Sequence, residues 1–527
     1  MKFTIANDSG ATTSTWMSEA VPCFAAVIPA DAHADVCVVG AGIAGLSVAL
    51  TLIQDGFDVL VVDQGPIGGG QTARTSAHLA SALDDRFYML EKRFGKRGAK
   101  LAAGSHASAI DAIETTARTF GIDCDFRRVD GYLFGPSKHA RKELSREREA
   151  ARRAGLLVDD VDRAPLPFDS GPCLRFANQA QFHPLAYVRG LADAVIAGGG
   201  RIVNGVHVVK IAGGAQVEIE TQDGRKIHAG AAVDTTDTAI SSRFNLPTRE
   251  AAYRSYVVAF DVAPGYVPHG LYWDTEDPYH YIRVAPGDNG REVLLVGGED
   301  HRVGQGDPEQ AFPKLVAWTE QRFPRTGEIV AQWSGQIMEP VDGLAYIGAL
   351  PREKNVFVAT GDSGNGLTHG AIAGLLIPAL IQDQEHPWAE LYAPKRSRLR
   401  AALTFAKEAV SSNLPYRDWL ASGEVSSVKQ IMPDSGATVR HGVHVLAVYR
   451  DEAGACHTKS ARCPHMSGVV RWNAVEKTWD CPCHGSRFDA LGRVLNGPAA
   501  MDLADAPTPV EKPVPMLPVD AFPLKPA

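Results

Sequence analysis

From Val36 to Ile53 the chain reads VCVVGAGIAGLSVALTLI, almost wholly apolar, with glycines at 40, 42 and 45. The β-branched opening predicts a buried strand, and the stretch after Gly45 predicts a buried helix. The next apolar run, FDVLVVDQ (57–64), predicts a second strand ending at Asp63. Strand-like and helix-like stretches then alternate to about residue 395, the order of an α/β architecture. ARKELSREREAARRAG (140–155) has helical spacing with a solvated, charged face. YHYIRV (279–284) reads as a strand, whereas VGGEDHRVG (296–304) reads as a turn carrying Glu299, Asp300 and His301. Near 395–425 the pattern changes: KRSRLRAALTFAKEAV predicts a helix and SSNLPYRDWLASGE a connector. Beyond 425 the chain is rich in Val, Gly and turn residues, as a small β domain is, and APTPVEKPVPMLP predicts an extended tail. The expected divisions are an N-terminal extension (1–34), a large α/β region (35–395), a linker (396–424), and a β domain with its tail (425–527).

A length of 527 residues calls for two or three domains. The net charge of -8, with no polybasic block, argues against nucleic acid as a partner. The 36–53 run is long enough for a membrane span, but glycines at these offsets favour a strand followed by a helix, so no span is expected. The first residues contain no apolar signal-peptide core. Four of the 8 cysteines crowd into 456–483, which suits a metal site in a cytoplasmic protein better than a disulfide framework.

Gly40, Gly42 and Gly45 form G-x-G-x-x-G between strand and helix, the pattern that brings a dinucleotide pyrophosphate onto a helix N-terminus. Asp63, 18 residues after Gly45, is placed to accept hydrogen bonds from ribose hydroxyls. The other glycine cluster, AGGGRIVNG (197–205), lacks the spacing and precedes a strand. A single fingerprint at the start of a long catalytic region favours a tightly held flavin.

GPIGGGQTARTSAHL (65–79) and PVDGLAYIG…NVFVATGDSGNGLTHGAIAGLLI (340–377) resemble the D-amino-acid oxidase-like family of FAD-dependent oxidoreductases. The resemblance implies a Rossmann-type FAD-binding domain interleaved with an α+β substrate domain. It places Gly361, Asn365, Gly366, Leu367 and Thr368 against the isoalloxazine, Thr72 at the pyrophosphate and the Val208 backbone at the adenine. Helix-terminal N–H groups there stabilise the negative charge of reduced flavin. AAVDTTDTA (231–239) departs from the family's Ala-Thr-Gly ending. His78 is expected to contact or pack near FAD, with covalent attachment as the alternative. The family oxidises carbons bearing nitrogen, so a small amine or amino acid is the expected substrate. Tyr281 and Arg283, at i and i+2 on one strand face, suit a carboxylate, with a structural Arg–acid pair as the alternative. His301 and His369 are candidate bases.

Near the C-terminus stand Cys463-x-His465 and, after fifteen residues, Cys481-x-x-His484. Zinc fingers pair cysteine with cysteine and histidine with histidine along the chain, whereas this order interleaves them. Two thiolates and two imidazoles, one of each per loop, are the ligand set of a Rieske [2Fe–2S] cluster. VYRDEAGACHTKSARCPH, WDCPCHGSRFD and GRVLNGPA resemble Rieske domains, which implies a small all-β fold over about 425–510. Relatives brace the two loops with a disulfide. Here Cys483 stands at one partner's place but Gly468 at the other's. Phe488 stands where a Tyr often donates to a ligand sulfur, although Ser486 remains as a donor. Fewer donors imply a potential in the lower part of the Rieske range of ~−150 to +300 mV.

Flavin takes two electrons and the cluster one, so the combination implies a converter that passes electrons from substrate to an external acceptor. An O₂-using oxidase with an accessory cluster, or a non-catalytic redox sensor, are the alternatives.

Overall fold

The computed structural model describes residues 9–18, 28–29, 31–135, 137–241, 246–396, 419 and 423–507. The helix and connector expected over 395–424 and the proline-rich tail lie almost wholly outside these residues.

The glycine-bearing run forms the strand Asp31–Val39 and the helix Ile43–Gln54, with the strand starting ahead of the expected boundary at 35. Val36, Val38 and Val61 are buried on one face of this layer, against Leu46, and Cys37, Val39 and Leu60 on the other, which explains the unbroken apolar pattern. Asp31–Val39 is central in a parallel sheet, flanked by Val59–Asp63 and Lys226–Asp234. Arg201–Asn204 and Val356–Thr360 extend the sheet in parallel, and Tyr346–Ala349 closes one edge antiparallel. The carboxyl ends of its parallel strands therefore share one edge, where ligands bind in such sheets. The helices Ile43–Gln54 and Gly366–Ile381 cross closely over this edge. A Cβ on Gly374 would lie 2.7 Å from the Cβ of Ser47, so only glycine permits the crossing.

A second sheet, of nine strands among the described residues, is mostly antiparallel. Its centre is Glu250–Val262 paired with Glu292–Arg302 and Ile329–Pro340. One face turns toward the parallel sheet, and the other buries Val258 and Phe260 against Phe312 and Leu315 of the helix Pro308–Arg322. The expected turn at 296–304 is instead the end of the strand Glu292–Arg302. Its partner strand is long enough to keep pairing past the glycines, and a bulge between Arg254 and Tyr256 absorbs the polar residues. The charged helix runs from Lys138 to Ala154, capped by Ser137 and ended by Gly155 in the left-handed region. Its inward Glu147 accepts from the Phe87 and Tyr88 N–H groups at the head of the helix Phe87–Thr119.

The C-terminal part contains two small antiparallel sheets, Ser435–His441 with His444–Arg450 and Cys456–Ser460, and four short strands from Arg471 to Asn496. Residues 9–18 run between the two parts of the molecule. Ala11 N–H donates to Glu476 O at 2.8 Å, and Trp16 Nε1 donates to Thr75 O at 2.7 Å. Among the described residues no helix is long and apolar enough to cross a membrane.

Candidate active site and metal centre

A long cavity opens at the carboxyl edge of the parallel sheet. Gly40, Gly42 and Asp63 line one end, and Gly361, Asn365, Gly366 and Leu367 line the middle. Gly40 has φ +110, and a Cβ on Gly45 would lie 1.9 Å from Gly40 O, so the turn tolerates no side chain at Gly45. Thr72 Oγ1 accepts from the Ile43 N–H at 3.2 Å, and its hydroxyl therefore sits at the helix N-terminus, in the cavity wall. Asp63 accepts from the Ala41 and Gly65 N–H groups at 2.5 and 2.8 Å. Burial nevertheless pushes its carboxyl up to about 6 against those hydrogen bonds. Val208 lines the same end. A cradle of glycine backbone at a helix N-terminus, with a carboxylate one strand away, fits the pyrophosphate and ribose of FAD.

The turn 361–366 departs from ordinary backbone. Ser363 has φ 46 between Gly361 at 73 and Gly364 at 70. Asn365, the N-cap of Gly366–Ile381, makes no side-chain cap, so the first N–H groups of that helix are left for a ligand at the cavity wall. Thr368 does not line the cavity: its hydroxyl donates to Asn365 O and meets His106 Nδ1 at 2.7 Å, because one helical turn carries it to the far face. His369 lines the cavity, with Nδ1 2.9 Å from Asp362 O, and burial lowers it to about 4.

His78 and Tyr281 meet in the wall, ring centroids 5.7 Å apart and nearly perpendicular. Burial, and then Arg283, push His78 down to about 3, so its imidazole is neutral. Arg283 does not reach the cavity. Its Nη1 donates to the carbonyls of Ala77 at 2.6 Å and Phe182 at 3.3 Å, and its guanidinium sits over Trp16. Neither the expected carboxylate clamp nor the Arg–acid alternative describes it: with 1 % of its surface exposed, its hydrogen bonds go to backbone oxygens of the adjoining segments. His301 also lies outside the cavity wall. It stacks on Tyr256, its Nε2 3.2 Å from the phenol oxygen, because the bulge turns it to the opposite sheet face.

Several wall residues were not legible beforehand. Thr235 donates to Val39 O at 2.9 Å and fills the space beside Gly40 and Gly45, which accounts for the departure in AAVDTTDTA. Asp84, Tyr279, Ser255 and Gln336 also line the cavity, from segments with no local motif. The C-terminal part supplies a further wall, Val494 to Ala500, beside His207 and Val208. Gln64 Nε2 donates to Leu495 O at 2.7 Å, and His207 Nε2 is 3.2 Å from Ala500 O.

In that part, Cys463 and His465 stand on one tight loop and Cys481 and His484 on another. Cys463 N–H donates to Gly468 O at 2.9 Å and Cys481 N–H to Ser486 O at 2.8 Å. The cysteines are buried at 1 % exposure each, and the His465 and His484 rings are 4.9 Å apart. His484 Nδ1 is buried without a hydrogen-bond partner. An orphaned imidazole nitrogen beside a second imidazole and two buried thiols fits iron ligation, which satisfies that nitrogen. Burial, then His465, lower His484 to about 4, which keeps the ring neutral as a ligand must be. A Cβ on Gly468 would lie 2.5 Å from Cys483 Sγ, so the two positions face each other as the expected brace requires, with no sulfur at Gly468. Phe488 is fully buried among these cysteines.

The family model described as DAO, FAD dependent oxidoreductase, matches residues 35–380, and that described as Rieske [2Fe-2S] domain matches 418–509. YhfW of Bacillus subtilis (strain 168), a protein named for a Rieske 2Fe-2S iron-sulfur centre, is 30% identical over 90% of this chain and 93% of its own. The γ-glutamylputrescine oxidoreductase of Escherichia coli (strain K12) is 27% identical over 66% of this chain and 83% of its own. Among solved structures, glycine oxidase from Geobacillus kaustophilus superposes with TM-score 0.59 at 20% identity, covering 69% of this chain and 99% of that one. The fingerprint cradle, the glycine-rich helix start and the two Cys–His loops are thus the parts of one enzyme: the chain belongs to the DAO family of FAD-dependent oxidoreductases and carries a C-terminal Rieske [2Fe–2S] domain.

Proposed function

We propose that the enzyme oxidises a small substrate at a carbon bearing nitrogen and passes the electrons from FAD through the Rieske centre to an external acceptor. The single observation that carries this is Gln336. It lines the flavin cavity, and its Nε2 donates to Gly485 O at 3.2 Å, the residue next to the ligand His484. One side chain therefore joins the wall of one cofactor site to the ligand loop of the other. FAD, when bound, supplies two-electron acceptance from the substrate carbon, and the cluster supplies single-electron steps. The relatives named for γ-glutamylputrescine and for glycine support nitrogen-bearing substrates.

In this reading Gly40, Gly42, Gly45 and Thr72 hold the pyrophosphate, Asp63 the ribose and the Val208 backbone the adenine. Gly361, Asn365, Gly366 and Leu367, which line the middle of the cavity, would hold the isoalloxazine. His78 and His369 are neutral wall groups, and Tyr281 orients the substrate. Cys463 and Cys481 hold one iron, His465 and His484 the other. The described cysteines are all unpaired, which supports work in the reducing cytoplasm.

Anaerobic addition of a substrate amine tests the reading. Flavin bleaching should be followed by the EPR signal of a reduced Rieske cluster. Cys463→Ser should abolish that signal and leave bleaching intact. Stoichiometric peroxide in air with no electrons reaching the cluster would overturn the export of electrons.

A further inference from the structure

Beyond the turn 361–366 the cavity ends among aromatic rings. Tyr281 lies flat over Gly297, where a Cβ would come within 2.1 Å of its ring. Tyr279 is 5.9 Å from it, centroid to centroid, and Trp273 completes the wall. Tyr281 Oη and Ser255 Oγ share a hydrogen bond of 2.8 Å. Into this box projects Asp84, whose carboxylate stands 2.6 Å from the point a Cβ on Gly364 would occupy. Asp84 is therefore set directly over the turn on which the flavin rests in the reading above. Its surface is exposed, but what it faces is the cavity. Asp300, carried by the bulge, stands behind Tyr279 and Ser255.

Positive charge is missing from the same place. Among the described residues lining the cavity, the carboxylates are Asp63, Asp84, Asp237 and Asp362, and Arg74 is the single Arg or Lys. Arg74 is engaged by Glu476 at 3.3 Å and by the carbonyls of Ser334 and Thr12 at 2.8 Å each. Arg283 bonds backbone carbonyls behind the wall. Arg93 pairs with Asp85 at 2.5 Å, and Arg86 reaches Asp84 O, Asp274 O and Glu143. His78 and His369 are neutral at physiological pH, at about 3 and about 4, lowered in each case first by burial. A substrate carboxylate entering this end would meet Asp84 with no guanidinium to receive it. An ammonium would meet a carboxylate and the negative faces of three aromatic rings.

We propose that this end of the cavity is an ammonium site, and that the substrate is a small amine cation carrying no carboxylate. The proposal rests on the reading of the cavity as a flavin-dependent amine-oxidising site and narrows it from amines and amino acids to amines alone. Desolvation by the protein that encloses this end of the cavity, opposed by Arg86, raises the Asp84 carboxyl to about 6, and burial raises Asp300 to about 7. A bound cation favours the ionised form of both, so binding would draw out a proton where one is held.

Binding and turnover separate the two claims. The holoenzyme is titrated with tetramethylammonium chloride and with sodium propionate, which are not substrates, and the shift in the flavin absorption bands is read. Tetramethylammonium should perturb the bands and bind at least ~10-fold tighter than propionate, and Asp84→Asn should weaken it by ~10-fold or more with FAD content unchanged. If Asp84→Asn loses FAD, Asp300→Asn and the wild-type comparison of the two ions decide in its place. Propionate binding as tightly as tetramethylammonium, or amino acids bleaching the flavin while simple amines do not, overturns the ammonium site and leaves the dehydrogenase reading standing. Tetramethylammonium binding through Asp84, with no amine bleaching the flavin, supports the site and overturns the dehydrogenase reading.

Discussion

Glu476 of the Rieske domain lies 2.8 Å from the Arg254 guanidinium of the oxidoreductase domain, and both side chains are out of water, at 0 % and 1 % exposure. Arg74 approaches the same carboxylate at 3.3 Å, Thr12 Oγ1 donates to it at 2.7 Å, and Ser334 Oγ also donates to it. One carboxylate thus gathers two guanidiniums from the first domain and the N-terminal segment into a dry junction.

Replacing Glu476 by Gln should cost about 3–5 kcal/mol, because Arg74 and Arg254 remain buried without a counter-charge. Chemical denaturation followed by flavin fluorescence and by the visible bands of the cluster would measure it. A loss under ~1 kcal/mol, the range of exposed pairs, would mean that the junction is wet in solution.

The same group sets an acid limit. Burial alone would raise the Glu476 carboxyl, but Arg74, Arg254 and Arg487 outweigh burial and hold it at about 2. Its folded value is below the unfolded value of ~4.3, so its contribution is fully present above that value and is lost as pH falls toward 2. Tm should therefore drop between pH 5 and pH 2 in the wild type and fall less steeply in Glu476→Gln.

Gly468→Cys should close a disulfide with Cys483, since the added Cβ would lie 2.5 Å from Cys483 Sγ. A ring of ~15 residues corresponds to about 3 kcal/mol of stabilisation. Thiol titration of the denatured, unreduced variant should count one thiol fewer than the wild type's 8, despite the added cysteine.

Ala500→Phe should deplete FAD from the purified protein. Ala500 lines the nucleotide end of the cavity at 6 % exposure, and a ring there competes for that space. Iron and labile sulfide content would show whether the change also reaches the cluster loop, whose Ser486 Oγ accepts from the neighbouring Ala499 N–H at 3.1 Å. Full FAD content would show that the Val494–Ala500 wall stands clear of the nucleotide.

How far each feature was legible follows from how locally it is encoded. Gly40, Gly42, Gly45 and Asp63 sit within one strand–helix–strand unit, and Cys463, His465, Cys481 and His484 within two loops, so spacing along the chain already expresses their geometry. Chain order pointed to the ligand set, whereas Gly468 opposite Cys483 was implied only by the resemblance to Rieske domains; the structure sets the two positions face to face. Arg283 and His301 were misplaced because period-2 alternation says which residues share a face but not what lies beyond it. Carbonyls of Ala77 and Phe182 lie beyond Arg283, and a bulge set by the partner strand turns His301 away.

The sequence by itself determined the two cofactor chemistries and the order of the two domains, because backbone cradles and metal loops are built from residues close in the chain. Only the tertiary structure decided that the Rieske domain walls the flavin cavity, that Gln336 spans from that cavity to the cluster loop, and that Asp84 rather than Arg283 lines the cavity. Those relations join residues more than a hundred positions apart, and burial, counter-charge and close approach at such separations exist only once the chain is folded.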